Sequence, residues 1–113
     1  MKKIEAIIRP EKVALVTEAL AEAGIIGLNT TQVSGRGVQK GVMHVGRGGM
    51  TVKVDMLQKT KVEVVCKDAD VEKAIAIIIE NARTGEVGDG KIFVSTLTDA
   101  IRVRTGERGD KAL

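Results

Sequence analysis

The sequence has no tyrosine and no tryptophan, and only one phenylalanine, one cysteine, one histidine and one proline. A lone cysteine excludes a disulfide framework within the chain, and with a lone histidine beside it an intrachain zinc cluster is excluded too. Cys66 falls in an apolar alternating run and is expected to be a buried, inert thiol; His44 falls among glycines and is expected to be solvated. No Ser–His or Cys–His pair with an orienting third group is identifiable, so no catalytic residue is assigned and no enzyme is expected. Phe93 is the only ring, which denies the chain the aromatic platform on which RNA-recognition sheets stack bases. Long hydrophobic runs are missing as well. Glu5 follows directly on Met1-Lys2-Lys3-Ile4, with no signal-peptide core and no membrane span, so a cytoplasmic protein is expected.

What is present is a small aliphatic chain. At 113 residues a single domain over 1–113 is expected, because dividing it would leave neither half a workable core. That core must be built from Val, Ile, Leu, Ala and Met. A domain so poor in large side chains gains stability by covering apolar surface with copies of itself. The net charge of +3, from 18 bases against 15 acids, suits anionic ligands but falls short of a nucleic-acid binder's footprint.

Periodicity predicts the elements. Lys3 to Ile8 sets Ile4, Ala6 and Ile8 on one face of a strand. Pro10 suits a helix first turn, Glu11 its positive end, and Val13, Val16, Leu20 and Ala23 form an apolar stripe that Gly24 terminates. Leu28 to Ser34 reads as a strand, Val52 to Asp55 and Lys61 to Cys66 alternate, and Ile92 to Leu97 is a strand. Asp68 or Asp70 is placed to cap a second helix with the stripe Val71, Ile75, Ile78, Ile79 and Ala82, ended by Gly85. Ala100 to Arg104 reads as a short strand-like tail. Lys3 to Ile8 and Lys61 to Cys66 each precede a turn and a helix, a faint repeat. Two such units predict an α+β, ferredoxin-like double βαβ: an antiparallel sheet with both helices on one face. The other face, with Ile7 and Val65 on it, would be buried by homo-oligomerisation.

The loops must carry the function, since this fold serves many. Arg83 to Phe93 packs Gly85, Gly88 and Gly90 with Lys91 between two apolar runs. Glycines let backbone N–H groups converge on an anion. Gly85-x4-Gly90-Lys91 imitates a Walker A loop but fails it: Ile92 stands where Ser or Thr is needed, and the loop runs from helix to strand. Two further basic clusters are Gly35 to Gly41 and Ile101 to Gly106. In the latter, period-two spacing sets Arg102 and Arg104 on one side of a strand. Singly, each cluster reads as a solvated loop; three at one sheet end read as a polyphosphate site. The interruption from Gly35 to about Gly49 carries glycines at 35, 37, 41, 46, 48 and 49, and the stretch Gly35 to Val54 is expected to be mobile without ligand. A ligand that selects one loop conformation makes such a loop a switch.

Thr84-Gly-Glu-Val-Gly-Asp-Gly-Lys-Ile-Phe93, Arg102-Val-Arg-Thr-Gly-Glu107 and Met1-Lys-Lys-Ile-Glu-Ala-Ile-Ile-Arg-Pro10 closely resemble the PII nitrogen-regulatory proteins, over essentially the whole chain. The resemblance implies a compact homotrimer that binds ATP or ADP in clefts between subunits and, with Mg2+ and ATP, 2-oxoglutarate; it implies no prosthetic group. A mobile T-loop would span about 36–54, a nucleotide loop about 83–91 and a C-terminal loop about 101–113. Carried over, the nucleotide residues are Ile7, Asn29, Gly35, Gly37, Val38, Gln39, Val64, Gly88, Asp89, Gly90, Lys91, Arg102 and Arg104. Ile7 and Val64 would flank the adenine, and Arg102 and Arg104 would come from the adjacent subunit. Gln39 would ligate magnesium, and Gln39, Lys40, Gly41 and Lys59 would hold 2-oxoglutarate.

The sequence departs from the family pattern at named places. Val52 stands at the position of the uridylylated tyrosine, so that modification is chemically excluded, and the phosphorylated serine of cyanobacterial relatives is missing too; Thr51 is only an available hydroxyl. Arg36, Val38, Asn29 and Gln58 replace a usual phenylalanine, arginine, threonine and proline. Arg47, set among Gly46, Gly48 and Gly49, resembles the arginine with which relatives plug an ammonium transporter. The resemblance therefore implies that partner, and a membrane only through it. The alternative partner is nitrogenase or another nitrogen-metabolism protein, and the alternative outside the family is an RNA-binding ferredoxin-like module.

Overall fold

The computed structural model describes residues 1–36 and 56–113 in full, with the backbone of 43–45 and 51–53. Strand β1 (Lys2–Ile8) leads through a 3₁₀ turn at Pro10–Lys12 into helix α1 (Val13–Glu22) and then β2 (Leu28–Gly35). Two short strands, β3 (Met43–Val45) and β4 (Thr51–Lys53), pair with each other as an antiparallel ribbon. The second half repeats the first: β5 (Leu57–Cys66), a 3₁₀ turn at Asp68–Asp70, helix α2 (Val71–Ala82) and β6 (Gly90–Thr96).

The main sheet is antiparallel with order β2-β5-β1-β6. Strict alternation does the sorting. Ile4, Ala6 and Ile8 of β1 and Val62, Val64 and Cys66 of β5 pack with Val16, Leu20, Val71, Ala74, Ile78 and Ala82 of the helices in one aliphatic core. Both helices therefore cover the same face, as the double βαβ reading requires. Burial pushes the Cys66 thiol up, in keeping with an inert core cysteine. The opposite face carries Lys3, Glu5, Ile7, Lys61, Glu63 and Val65, all half-buried. There Glu5 stands opposite Glu63, and Lys3 reconciles the two carboxylates at 3.1 and 3.4 Å. Those bonds raise the Lys3 pKa above its usual value.

Several elements differ from the sequence expectation. Residues 51–53 belong to the small ribbon, and the third strand of the main sheet begins at Leu57. In α2, Ala74 takes the buried place expected of Ile79, which is 37% exposed beside the edge strand. Neither Asp68 nor Asp70 caps that helix: Asp68 pairs with the N-terminal amine at 3.0 Å, and Asp70 makes no side-chain cap bond. The helix ends at Arg83, whose backbone turns extended, before Gly85 is reached. The tail is a turn over 103–105 closed by a single bridge between Ile101 and Arg108. Arg102 and Arg104 thus share no strand face. Expectations for Gly37, Val38, Gln39, Lys40, Gly41, Arg47 and the mobility of 36–54 lie largely outside the described residues, as do the side chains of His44, Thr51 and Val52.

Candidate functional site

The glycine loop between α2 and β6 is folded around one carboxylate. Asp89 accepts the backbone N–H of Thr84 and of Gly85, each at 2.9 Å, together with the Thr84 hydroxyl. The same hydroxyl accepts the N–H of Glu86 at 3.1 Å. Gly85 and Gly88 take φ of +92° and +105°, which permits so tight a curl. The Asp89 side chain is thus spent on the loop itself, and what that residue offers a ligand is backbone. Hydrogen bonds from the Thr84 hydroxyl first, then from Thr84 N–H, Gly85 N–H and Arg9, hold its carboxyl well below the usual carboxylate range against the opposing effect of burial.

That depression fixes a pH dependence. A carboxylate whose folded pKa lies below its unfolded value adds stability that is fully present above the usual 3.8 and is lost as pH falls through the folded value. Acid unfolding is therefore expected to steepen below pH about 4. Asp89→Asn should flatten that limb in a pH series of thermal melts.

The loop is tied to the sheet from two sides. From β5, Lys59 Nζ donates to the Gly88 carbonyl at 2.5 Å. Burial, and then the nearby Arg9 charge, lower the Lys59 pKa from its usual value. From the end of β1, Arg9 donates through Nε to Asp89 at 3.1 Å and through Nη2 to the Val87 carbonyl at 3.0 Å. At the loop's far end Gly90, with φ of +105°, lies against β1 so closely that a Cβ would stand 1.7 Å from the Ile7 carbonyl oxygen.

Loop and sheet together enclose a cavity of about 480 Å³. Gly35 and Arg36 at the end of β2, Leu57 and Lys59 of β5, Ile7 of β1, Phe93 of β6 and the loop residues from Glu86 to Lys91 line it. Two of the three basic clusters therefore meet, bringing Arg36, Lys59 and Lys91 to one opening. A space of this size, apolar on the sheet side and cationic at the rim, suits a ligand with a flat apolar part and a polyanionic tail.

Other expected residues lie elsewhere. Val64 is in the core at 1% exposure, on the helix side of the sheet, so within one chain its side chain faces away from that of Ile7. Asn29 is exposed on β2 opposite Glu63 and is not among the lining residues. Neither Arg102 nor Arg104 lines the cavity of its own chain. Arg102 is engaged within the C-terminal loop, with Glu107 at 3.1 Å and the Lys111 and Leu113 carbonyls at 3.1 and 3.5 Å. Arg9 and Leu57 were missed from sequence, and Thr84 and Arg36, although inside the expected loop and basic cluster, were given no role of their own. For Arg9 a signal existed: Pro10 after it holds its backbone extended (φ −63°, ψ 136°), fixing where the side chain leaves the strand.

Fold and cavity define a ferredoxin-like domain with a glycine loop and the cations Arg36, Lys59 and Lys91 at one sheet end. Over residues 1–107 the chain matches the family "Nitrogen regulatory protein P-II". It is 53% identical over 113 residues to the nitrogen regulatory protein P-II of Rhodospirillum rubrum, covering the whole of both chains. Identity to the P-II protein of Azospirillum brasilense is 51% over the whole of both chains, and to the P-II 2 protein of Methanothermobacter thermautotrophicus 48%, over all of this chain and 97% of that one. The chain belongs to the P-II family of nitrogen regulatory proteins.

Proposed function

We propose that this chain is a homotrimeric, cytoplasmic, non-enzymatic signal protein that binds ATP or ADP, and 2-oxoglutarate together with Mg-ATP, and passes the result to an ammonium transporter through its T-loop. The observation that carries this reading is the cavity in which Arg36, Lys59 and Lys91 meet the glycine loop. Lys91 would neutralise phosphate oxygens, with Gly88 to Gly90 offering backbone, and Ile7 supplies an apolar surface of the kind an adenine needs. A trimer would bury the sheet face bearing Ile7 and Val65 and bring Arg102 and Arg104 of a neighbour toward the phosphates. Arg102 would then exchange Glu107 for phosphate, one charge-assisted partner for another.

Lys59 suits the distal carboxylate of 2-oxoglutarate: it lines the cavity, and an ammonium partly withdrawn from water gains from an incoming anion. Magnesium fits as an ion delivered with the nucleotide, because phosphate oxygens and the hard amide oxygen of Gln39 are its preferred donors. No helix among the described residues is long and apolar enough to cross a membrane.

The partner is tested by pull-down of the transporter with ADP and, separately, with Mg-ATP plus 2-oxoglutarate. A complex in one state that the other dissolves is expected. No complex in either state would contradict the transporter and leave nitrogenase or another nitrogen-metabolism protein as the target to assay.

A further inference from the structure

We propose that Arg9 is a positioning residue of the nucleotide loop: its guanidinium locks Asp89 and the Val87 carbonyl together and so holds the backbone of 87–91 in the shape that receives phosphate. The inference rests on the nucleotide reading above for its consequence, but its geometry stands alone. Arg9 spans two acceptors two residues apart in the loop, Asp89 Oδ1 at 3.1 Å and Val87 O at 3.0 Å. Its side chain is 16% exposed and that of Asp89 26%, so the pair is not a solvated surface contact. Arg9 does not line the cavity; it meets the loop from outside the lining.

The two bonds do different work. Asp89 gathers the first half of the loop by accepting the N–H groups of Thr84 and Gly85 and the Thr84 hydroxyl. Arg9 anchors that gathered unit to the end of β1, and through Val87 it also sets the turn that precedes Gly88. A planar fork with two donors fixed relative to each other transmits orientation in a way that a point charge cannot. Pro10 completes the device. Because the residue before a proline is confined to extended backbone, Arg9 leaves the strand in one direction and its reach to the loop is preset. Lys59, on the Gly88 carbonyl, holds the same turn from β5.

The test compares the full-length chain with Arg9→Gln, Arg9→Lys, Asp89→Asn and the Arg9→Gln/Asp89→Asn double variant. ATP affinity is measured by calorimetry, and the Thr84 and Gly85 amide signals by heteronuclear NMR without nucleotide. Arg9→Gln is expected to weaken ATP binding roughly 10-fold, the loss of one charge-assisted contact, and to shift both amide signals. Arg9→Lys should recover part of each effect, and Asp89→Asn should cost less in the Arg9→Gln background than alone, because the share of its effect that passes through Arg9 is already lost. Unchanged amide signals in Arg9→Gln would overturn the proposal. So would fully additive losses in the double variant, which would mean that the charge of Arg9 acts on the ligand directly. If the wild-type chain binds no ATP, the nucleotide reading fails, and the amide signals alone decide whether Arg9 sets the loop.

Discussion

Gly90→Ala is expected to lower the melting temperature by about 10–20 °C, a large effect for one added methyl group. Two costs coincide there. The residue holds φ of +105°, where an L side chain is strained by about 1–2 kcal/mol. Its new Cβ would also stand 1.7 Å from the Ile7 carbonyl oxygen and 2.8 Å from the carbonyl carbon, so β1 and β6 would have to separate. Overpacking against backbone adds roughly 1–3 kcal/mol, and more if the ladder breaks. Gly24→Ala is the control: φ is +87° there but nothing lies within 4 Å of the added atom. It should cost only the strain, about 1–2 kcal/mol. Equal melting temperatures for the two variants would show that the close approach of Gly90 to Ile7 is not what holds the loop against the sheet.

Lys91→Ala is expected to weaken ATP binding roughly 10- to 150-fold, the span that one desolvated charge-assisted contact of about 1.5–3 kcal/mol allows. Lys91 is exposed at the rim of the cavity and stands opposite Ile7 in the ladder, so removing its side chain leaves the core untouched. Melting temperature should therefore stay close to wild type while affinity falls. Such a split separates a ligand contact from a structural one. An affinity loss accompanied by an equal loss of stability would place Lys91 in the fold and leave the phosphates to other groups.

How much was legible in the sequence depended on where each residue's partners lie. Ile4, Ala6 and Ile8 announced a buried strand face because strand side chains alternate regardless of context. The glycine loop was legible for a similar reason, since Gly85, Gly88 and Gly90 each take a backbone that other residues resist. The first half of β5 was not legible: Gln58 and Lys59 are polar and are paired by β2 alone, and polar Thr60 is held by both β2 and the end of β1. Alternation at Ile101 to Arg104 misled, because Asp99 gathers the N–H groups of Ala100 and Gly109 and the Arg108 side chain, folding the tail back on itself. For Arg9 only the extended backbone was legible, from Pro10; its acceptors lie 78 and 80 residues away, and no local pattern points to them. Val64 shows the opposite limit: the resemblance named the position, and register alone sends its side chain into the core.

The central claim is that the cavity beneath the glycine loop is a nucleotide site that primes a second, anionic ligand at Lys59. Isothermal calorimetry tests it most directly, with 2-oxoglutarate titrated into the protein alone, with ADP, and with Mg-ATP. Binding heat with Mg-ATP and none in the other two titrations is the expected result, and Lys59→Ala should abolish it. No added heat with Mg-ATP present would contradict the claim.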